Sequence, residues 1–310
     1  MLRETIQSVL IQDYQNFTVI ISNDNPLRVI DCESLGVRKD PRVIYVNQPK
    51  NLGEIDNMNW LMDQAKGELF TWLADDDLIH PLHISNLVEN LMRCPRSICA
   101  YSSFTSDFES FKTSKELEIN EYEVSSLGTA EFNVKYSKRE ITLIGCYGLF
   151  RVDAIRKIGG VQRLAEGFSP YADTLIPVLL STYGEISYYS APTLFFRSHP
   201  NSMSNGIGDW NVYLQAENAY IDIVQSILEN LGAKEVDGVL KNYGIWFTEN
   251  HYGVSMRDQG ASFTTQIRTF MRLEKALDCK LSRSKLQQAE IFLIAILRIL
   301  KNKISIRLNR

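Results

Sequence analysis

One stretch constrains the fold more than any other. In Thr71-Trp72-Leu73-Ala74-Asp75-Asp76-Asp77, an apolar segment suited to burial ends abruptly in three carboxylates. Ligands of open α/β sheets sit at the carboxyl ends of strands, and adjacent carboxylates repel one another unless a cation or solvent relieves them. A hard divalent ion, Mn²⁺ or Mg²⁺, held by one or two carboxylates plus substrate phosphate oxygens would do so. An acidic helix N-terminus ahead of Pro81 is the alternative, because the helix dipole favours Asp there. The flanking periodicity fits a layered sheet: residues 2–13 and 54–66 read as helices, and 17–22, 42–46 and 68–73 as strands. A helix after Pro81 precedes a further strand at 97–104. Strands alternating with helices predict an α/β fold with a mostly parallel sheet flanked by helices.

All nine prolines lie between Pro26 and Pro200, and proline disrupts helix interiors. The pattern predicts a sheet domain over 1–205 and a helical region over 206–310, with helices at 210–231 and 286–308. Charge divides along the chain as well. The net −4 is the sum of +7 over the last 31 residues, which hold eight Lys/Arg and one Glu, and −11 over the remainder. A body at −11 repels a phosphate backbone, so nucleic acid is not an expected partner. The basic amphipathic pattern of 286–308 suits either the surface of an anionic membrane or packing on the body. Five cysteines without a CxxC pair point to a reduced compartment, and no apolar run reaches the ~20 residues of a spanning helix. These features place the protein in the cytoplasm, either free or peripheral on the inner face of the membrane.

A second strand, 17–22, also ends in a polar cluster, Asn23-Asp24-Asn25-Pro26, which reads as a turn or as a nucleotide contact. Asn51-Leu52-Gly53-Glu54, with Asn57 one turn later, opens a helix. It is either a plain cap or a set of backbone amides near a phosphate or ribose.

The order of these features resembles glycosyltransferase family 2 of the GT-A fold. The match runs through Ile6-Gln7-Ser8-Val9-Leu10, Gln12 to Phe17, Asn23-Asp24, Asn51-Leu52-Gly53, Ala65 to Glu68 and Leu73 to Asp77 with Pro81. It continues through Gly145-Cys146-Tyr147-Gly148-Leu149-Phe150-Arg151, Ile158-Gly159-Gly160, Tyr171-Ala172-Asp173 and Arg197-Ser198-His199-Pro200. The resemblance implies Asp76 as metal ligand, Asp75 beside the ribose, and Asp77 sharing the metal or supporting it. Asn23, Asp24, Asn51, Gly53 and Asn57 would line the nucleotide, and His199 would add a second metal or diphosphate contact. Gly145, Cys146, Tyr147, Arg151 and Arg197 would face the sugar or acceptor. Asp173 would be the general base of a single inverting displacement, or else simply the cap of helix 174–180.

The implied activity is sugar transfer from a nucleotide-diphosphate donor, UDP-linked, to a glycan or lipid-linked glycan in bacterial surface polysaccharide assembly. The alternative is an inactive sugar-nucleotide-binding or assembly protein of the same fold. Members of the family normally begin with an apolar strand that this sequence lacks, so an N-terminally shortened form is expected, with two strand edges left unpaired.

Overall fold

The computed structural model describes residues 1–113, 122–199 and 209–257, then 270–272, 274, 275, 277, 278, 281, 284, 288, 289, 293 and 294. Two compact units emerge: residues 1–132, 139–163 and 172–198 form one, and 133–138, 164–171 and 199–310 the other.

The first unit opens with α1 (Leu2–Leu10), followed by β1 (Val19–Asn23) and β2 (Val43–Asn47), which pair in parallel from Val19/Val43 to Asn23/Asn47. Helix α2 (Glu54–Asp63) leads to β3 (Leu69–Phe70) and β4 (Leu78–Ile79), and α3 (His83–Arg93) leads to β5 (Ser97–Thr105). Then come α4 (Phe108–Thr113), β6 (Val124–Leu127), α5 (Thr129–Ser137), which runs across the boundary of the units, and a 3₁₀ turn at Gly145–Tyr147. β7 (Leu149–Arg151), α6 (Val152–Lys157), α7 (Ala172–Ser181) and β8 (Glu185–Phe195) complete the unit.

The sheet is mixed. β1 and β2 form a two-stranded sheet, and six strands form another in the order β3-β7-β5-β8-β4 with β6 also on β8. The β5–β8 pair is parallel, whereas β7 runs against both β3 and β5, and β4 and β6 run against β8. The expected mostly parallel sheet is therefore corrected. Periodicity identifies strands but not their direction, and β4 and β7 enter from short loops and turns rather than from crossover helices. Among the described residues β1 has a strand partner on one side alone, and the two sheets share no ladder.

The core gathers around β5, where Cys99, Ala100 and Tyr101 are sealed from solvent. Leu87 and Leu91 of α3 pack with Ala100 and Leu149. A second cluster, Ile79, Tyr147 and Leu194, lies beside the acidic run. Full burial of one such side chain stabilises by about 1.5–3 kcal/mol. Pro192 interrupts β8 where the β5–β8 register shifts, the kind of irregularity in which a residue without an N–H is accommodated.

In the second unit α8 (Trp210–Asn230) is capped by the Asp209 carboxylate, which accepts from Asn211 N at 2.9 Å. With α9 (Val236–Arg257) it buries Tyr220, Tyr243 and Phe247. At its centre His251 Nε2 lies 2.8 Å from Glu217 Oε2, and Nδ1 lies 2.5 Å from Glu274 Oε1. Tyr171 donates to Glu217 at 2.9 Å and Thr248 to Glu274 at 2.8 Å. Of the expected helix at 286–308, residues other than 288, 289, 293 and 294 lie outside the described residues. Among the described residues no helix is long and apolar enough to cross a membrane.

Burial alone would lower the His251 pKa, but Glu217 and Glu274 outweigh it and hold it at about 9. With an unfolded value near 6.5, this contribution is complete below about pH 6.5 and is lost as pH rises through 9. The melting temperature of the full chain is accordingly expected to fall between pH 7 and 10, and His251→Gln to show a flatter profile. Parallel profiles would refute the charged imidazole.

Candidate active site

The acidic run is fastened from beneath. Asp77 is 1% exposed. Its Oδ1 accepts from Arg197 N at 2.7 Å and its Oδ2 from the Tyr147 hydroxyl at 2.5 Å. Burial pushes its pKa up, and the donors Arg197 and Tyr147 pull against that shift. The Tyr147 hydroxyl also accepts from Ala74 N at 3.3 Å, so one side chain spans the start and end of the run. Arg197 reaches back to Glu4 at 2.7 Å. Asp75, by contrast, is exposed and Asp76 half-buried.

α1 contributes a polar stripe. The Thr5 hydroxyl lies 3.0 Å from the Asp75 carbonyl and 2.8 Å from that of Asp77, sharing its single proton between them. Ser8 accepts from Ile79 N at 3.3 Å. Gln12 donates to the His80 carbonyl at 2.7 Å and accepts from Ile84 N at 3.1 Å.

The cluster after β1 folds on itself. Asp24 accepts from the Leu52 and Gly53 amides at 2.6 and 2.8 Å, while Asn51 donates to the Asp24 carbonyl at 3.0 Å. Gly53 stands at φ 82°, a left-handed conformation that favours glycine, and leads into α2. Asn57 accepts from Ser22 at 2.6 Å, and Asn23 donates to Asn47 at 2.8 Å. The five residues read as nucleotide contacts are thus gathered where β1 meets the start of α2.

The 3₁₀ turn and α7 meet closely. A Cβ on Gly145 would stand 1.8 Å from the Asp173 carbonyl oxygen. That carbonyl is available for such contact because Pro177 lies four residues on, inside α7, and has no N–H to donate to it. Burial raises the Asp173 carboxyl pKa. The Cys146 thiol is pushed up by burial and by the charges of Asp173, Glu54 and Asp77, and Glu54 is raised by burial and by Asp173. Asp173, Glu54, Cys146 and Asp77 therefore share one electrostatic neighbourhood.

Arg151 does not join them. It pairs with Leu69, at the start of β3, and donates to the Ser97 carbonyl at 3.1 Å, whereas the acidic run follows the end of β3. Antiparallel β7 carries it toward the other end of the sheet. His199 is half-buried and belongs to the second unit. Thr5 is a residue that motif reading missed, and Glu54 entered the motif as a helix opener with no part in the site. For Thr5 the only sequence signal is a polar residue on the apolar side of an amphipathic helix. No group of three or more His, Cys, Asp or Glu able to hold a metal occurs among the described residues.

Residues 1–159 match the model of glycosyl transferase family 2. The chain belongs to that family. Bacterial glycosyltransferases match over short spans. An uncharacterized glycosyltransferase of Rickettsia felis is 30% identical over 90 residues, which are 29% of this chain and 15% of that protein. The GalNAc(5)-diNAcBac-PP-undecaprenol β-1,3-glucosyltransferase of Campylobacter jejuni is 32% identical over 91 residues, 29% of each chain. The match thus spans under a third of either relative's length. The fold resembles S. aureus TarS 1–349 in complex with UDP-GlcNAc, with a TM-score of 0.59 at 11% identity, covering 97% of this chain and 88% of that one. The architecture is GT-A.

Gly145→Ala tests the contact between the turn and α7. Its methyl would meet backbone rather than a flexible side chain. The full chain should lose roughly 1–3 kcal/mol in urea unfolding; an unchanged midpoint would show that the turn is loosely seated.

Proposed function

We propose that this glycosyltransferase inverts the anomeric centre as it moves a sugar from a UDP-linked donor to a glycan or lipid-linked glycan acceptor in bacterial surface polysaccharide assembly. The observation that carries the reading is Asp173, a carboxyl of raised pKa in the same neighbourhood as Glu54, Cys146 and the acidic run. The UDP-GlcNAc in the TarS complex and the undecaprenol-linked glycan in the name of the Campylobacter relative support the donor and acceptor classes.

Asp75 and Asp76 offer hard oxygen donors, and one or two carboxylates suffice for Mn²⁺ or Mg²⁺ when substrate phosphates complete the shell. When bound, the ion neutralises the diphosphate and makes it a good leaving group. Asp77, with both oxygens engaged by protein donors, suits the supporting role better than ligation. Asn23, Asp24, Asn51, Gly53 and Asn57 would shape the nucleotide pocket. Asp173 takes the proton of the acceptor hydroxyl as its oxygen bonds to the anomeric carbon. The bond from that carbon to the phosphate oxygen breaks, and the nucleoside diphosphate leaves with the electron pair. A carboxyl whose pKa is raised by burial is a stronger proton acceptor than an exposed one. The basic stretch at 286–308 would bring the enzyme to the inner membrane face.

Asp173→Asn should cut turnover by about 10²–10⁴ yet keep Mn²⁺-dependent UDP binding, whereas Asp76→Ala should lose the binding. Because the base works deprotonated, the acid limb of the rate profile should lie above the ordinary carboxylate value of 3.8. If Asp173→Asn remains fully active, the base is another group. Binding of UDP without any transfer or hydrolysis by the wild type would leave the inactive, sugar-nucleotide-binding protein.

A further inference from the structure

Three features converge on one short segment. Thr5, Ser8 and Gln12 project from one side of α1 and its C-terminal turn at spacings of three and four, as residues of one helical face do. All three are buried, and each hydrogen-bonds to the backbone of residues 75–84. From the other side the Tyr147 hydroxyl ties Ala74 N to the Asp77 carboxylate. The backbone of Arg197 then closes on the remaining Asp77 oxygen. The result is a loop whose amides, carbonyls and inner carboxylate are held, while the exposed Asp75 and half-buried Asp76 stand between the fastened points.

We propose that Thr5 and Tyr147 are positioning residues: their hydroxyls clamp the segment 74–79 so that the Asp75 and Asp76 carboxylates are set before a donor arrives. The clamp rests on the reading of Asp75 and Asp76 as the donor-holding pair. Neither hydroxyl need touch the substrate. Their effect is to remove, ahead of binding, the conformational freedom that an unfastened loop of consecutive aspartates would otherwise lose on binding. Thr5 is suited to this because its hydroxyl reaches two carbonyls separated by a single residue, which sets the curvature of the run between them. Tyr147 is suited because its ring clusters with Leu194 of β8, which lies outside the loop its hydroxyl restrains.

The test uses the full chain and the variants Thr5→Val, Thr5→Ser and Tyr147→Phe. In the metal-free protein, hydrogen exchange of residues 74–80 should rise in Thr5→Val and Tyr147→Phe, with the rest of the chain unchanged, and return toward wild type in Thr5→Ser. By calorimetry with Mn²⁺ and UDP, each loss of a hydroxyl should weaken UDP affinity roughly fivefold, the size expected for one hydrogen bond. Thr5→Ser should recover that affinity too. Two outcomes overturn the clamp while leaving the donor site standing: exchange and affinity that match wild type, or exchange that rises evenly along the chain with unaltered UDP affinity, which marks a contribution to fold stability alone. If the wild-type chain itself takes no UDP in the presence of Mn²⁺, the donor-site reading fails first, and the clamp falls with it.

Discussion

A carboxylate nearly sealed from water must be met by donors, because an unmatched buried charge costs several kcal/mol. Much of the first unit is arranged around meeting that need at Asp77. Its two oxygens recruit Tyr147 from the 3₁₀ turn and the Arg197 backbone from beyond β8. These segments lie 70 and 120 residues away in sequence. Long-range contacts of this kind fix where β4, β7 and the end of β8 stand relative to α1. The apolar cluster of Ile79, Tyr147 and Leu194 follows from the same geometry, since it packs the residues that bring these donors together.

Much of this was legible in the sequence, for identifiable reasons. The order of motifs announced the family and the GT-A fold, whereas of the strand expected at 68–73 only Leu69 and Phe70 pair, and the apolar run before the three aspartates leaves the sheet. The direction of the strands was not legible. An alternating or apolar pattern is the same for parallel and antiparallel pairing, so the reversal at β7 and the displacement of Arg151 needed the register. The burial of Asp77 alone among the three was equally hidden. Asp75, Asp76 and Asp77 are chemically identical, and only burial separates the inward carboxylate from its neighbours. Thr5 escaped notice because a lone hydroxyl in an amphipathic helix carries no motif.

The second unit solves a related problem differently. Where Asp77 is satisfied by neutral donors, Glu217 and Glu274 face a single imidazole, and charge is answered by charge. Buried groups of this kind seldom add net stability over an apolar core, but removal of one member leaves the others unmatched. The helices that supply them are tied to one arrangement, since a slip of α8 against α9 by one turn would separate Glu217 from His251.

Pro177 and Gly145 have a mechanical consequence. A helix normally finds the acceptor of its first turn a donor from its own backbone, and here the proline withholds it from Asp173. The space on that carbonyl is taken by a residue with no side chain, at a separation that leaves no slack. Turn and helix are therefore in close backbone contact. A shift of the turn would press on the backbone of the carboxylate proposed as the base.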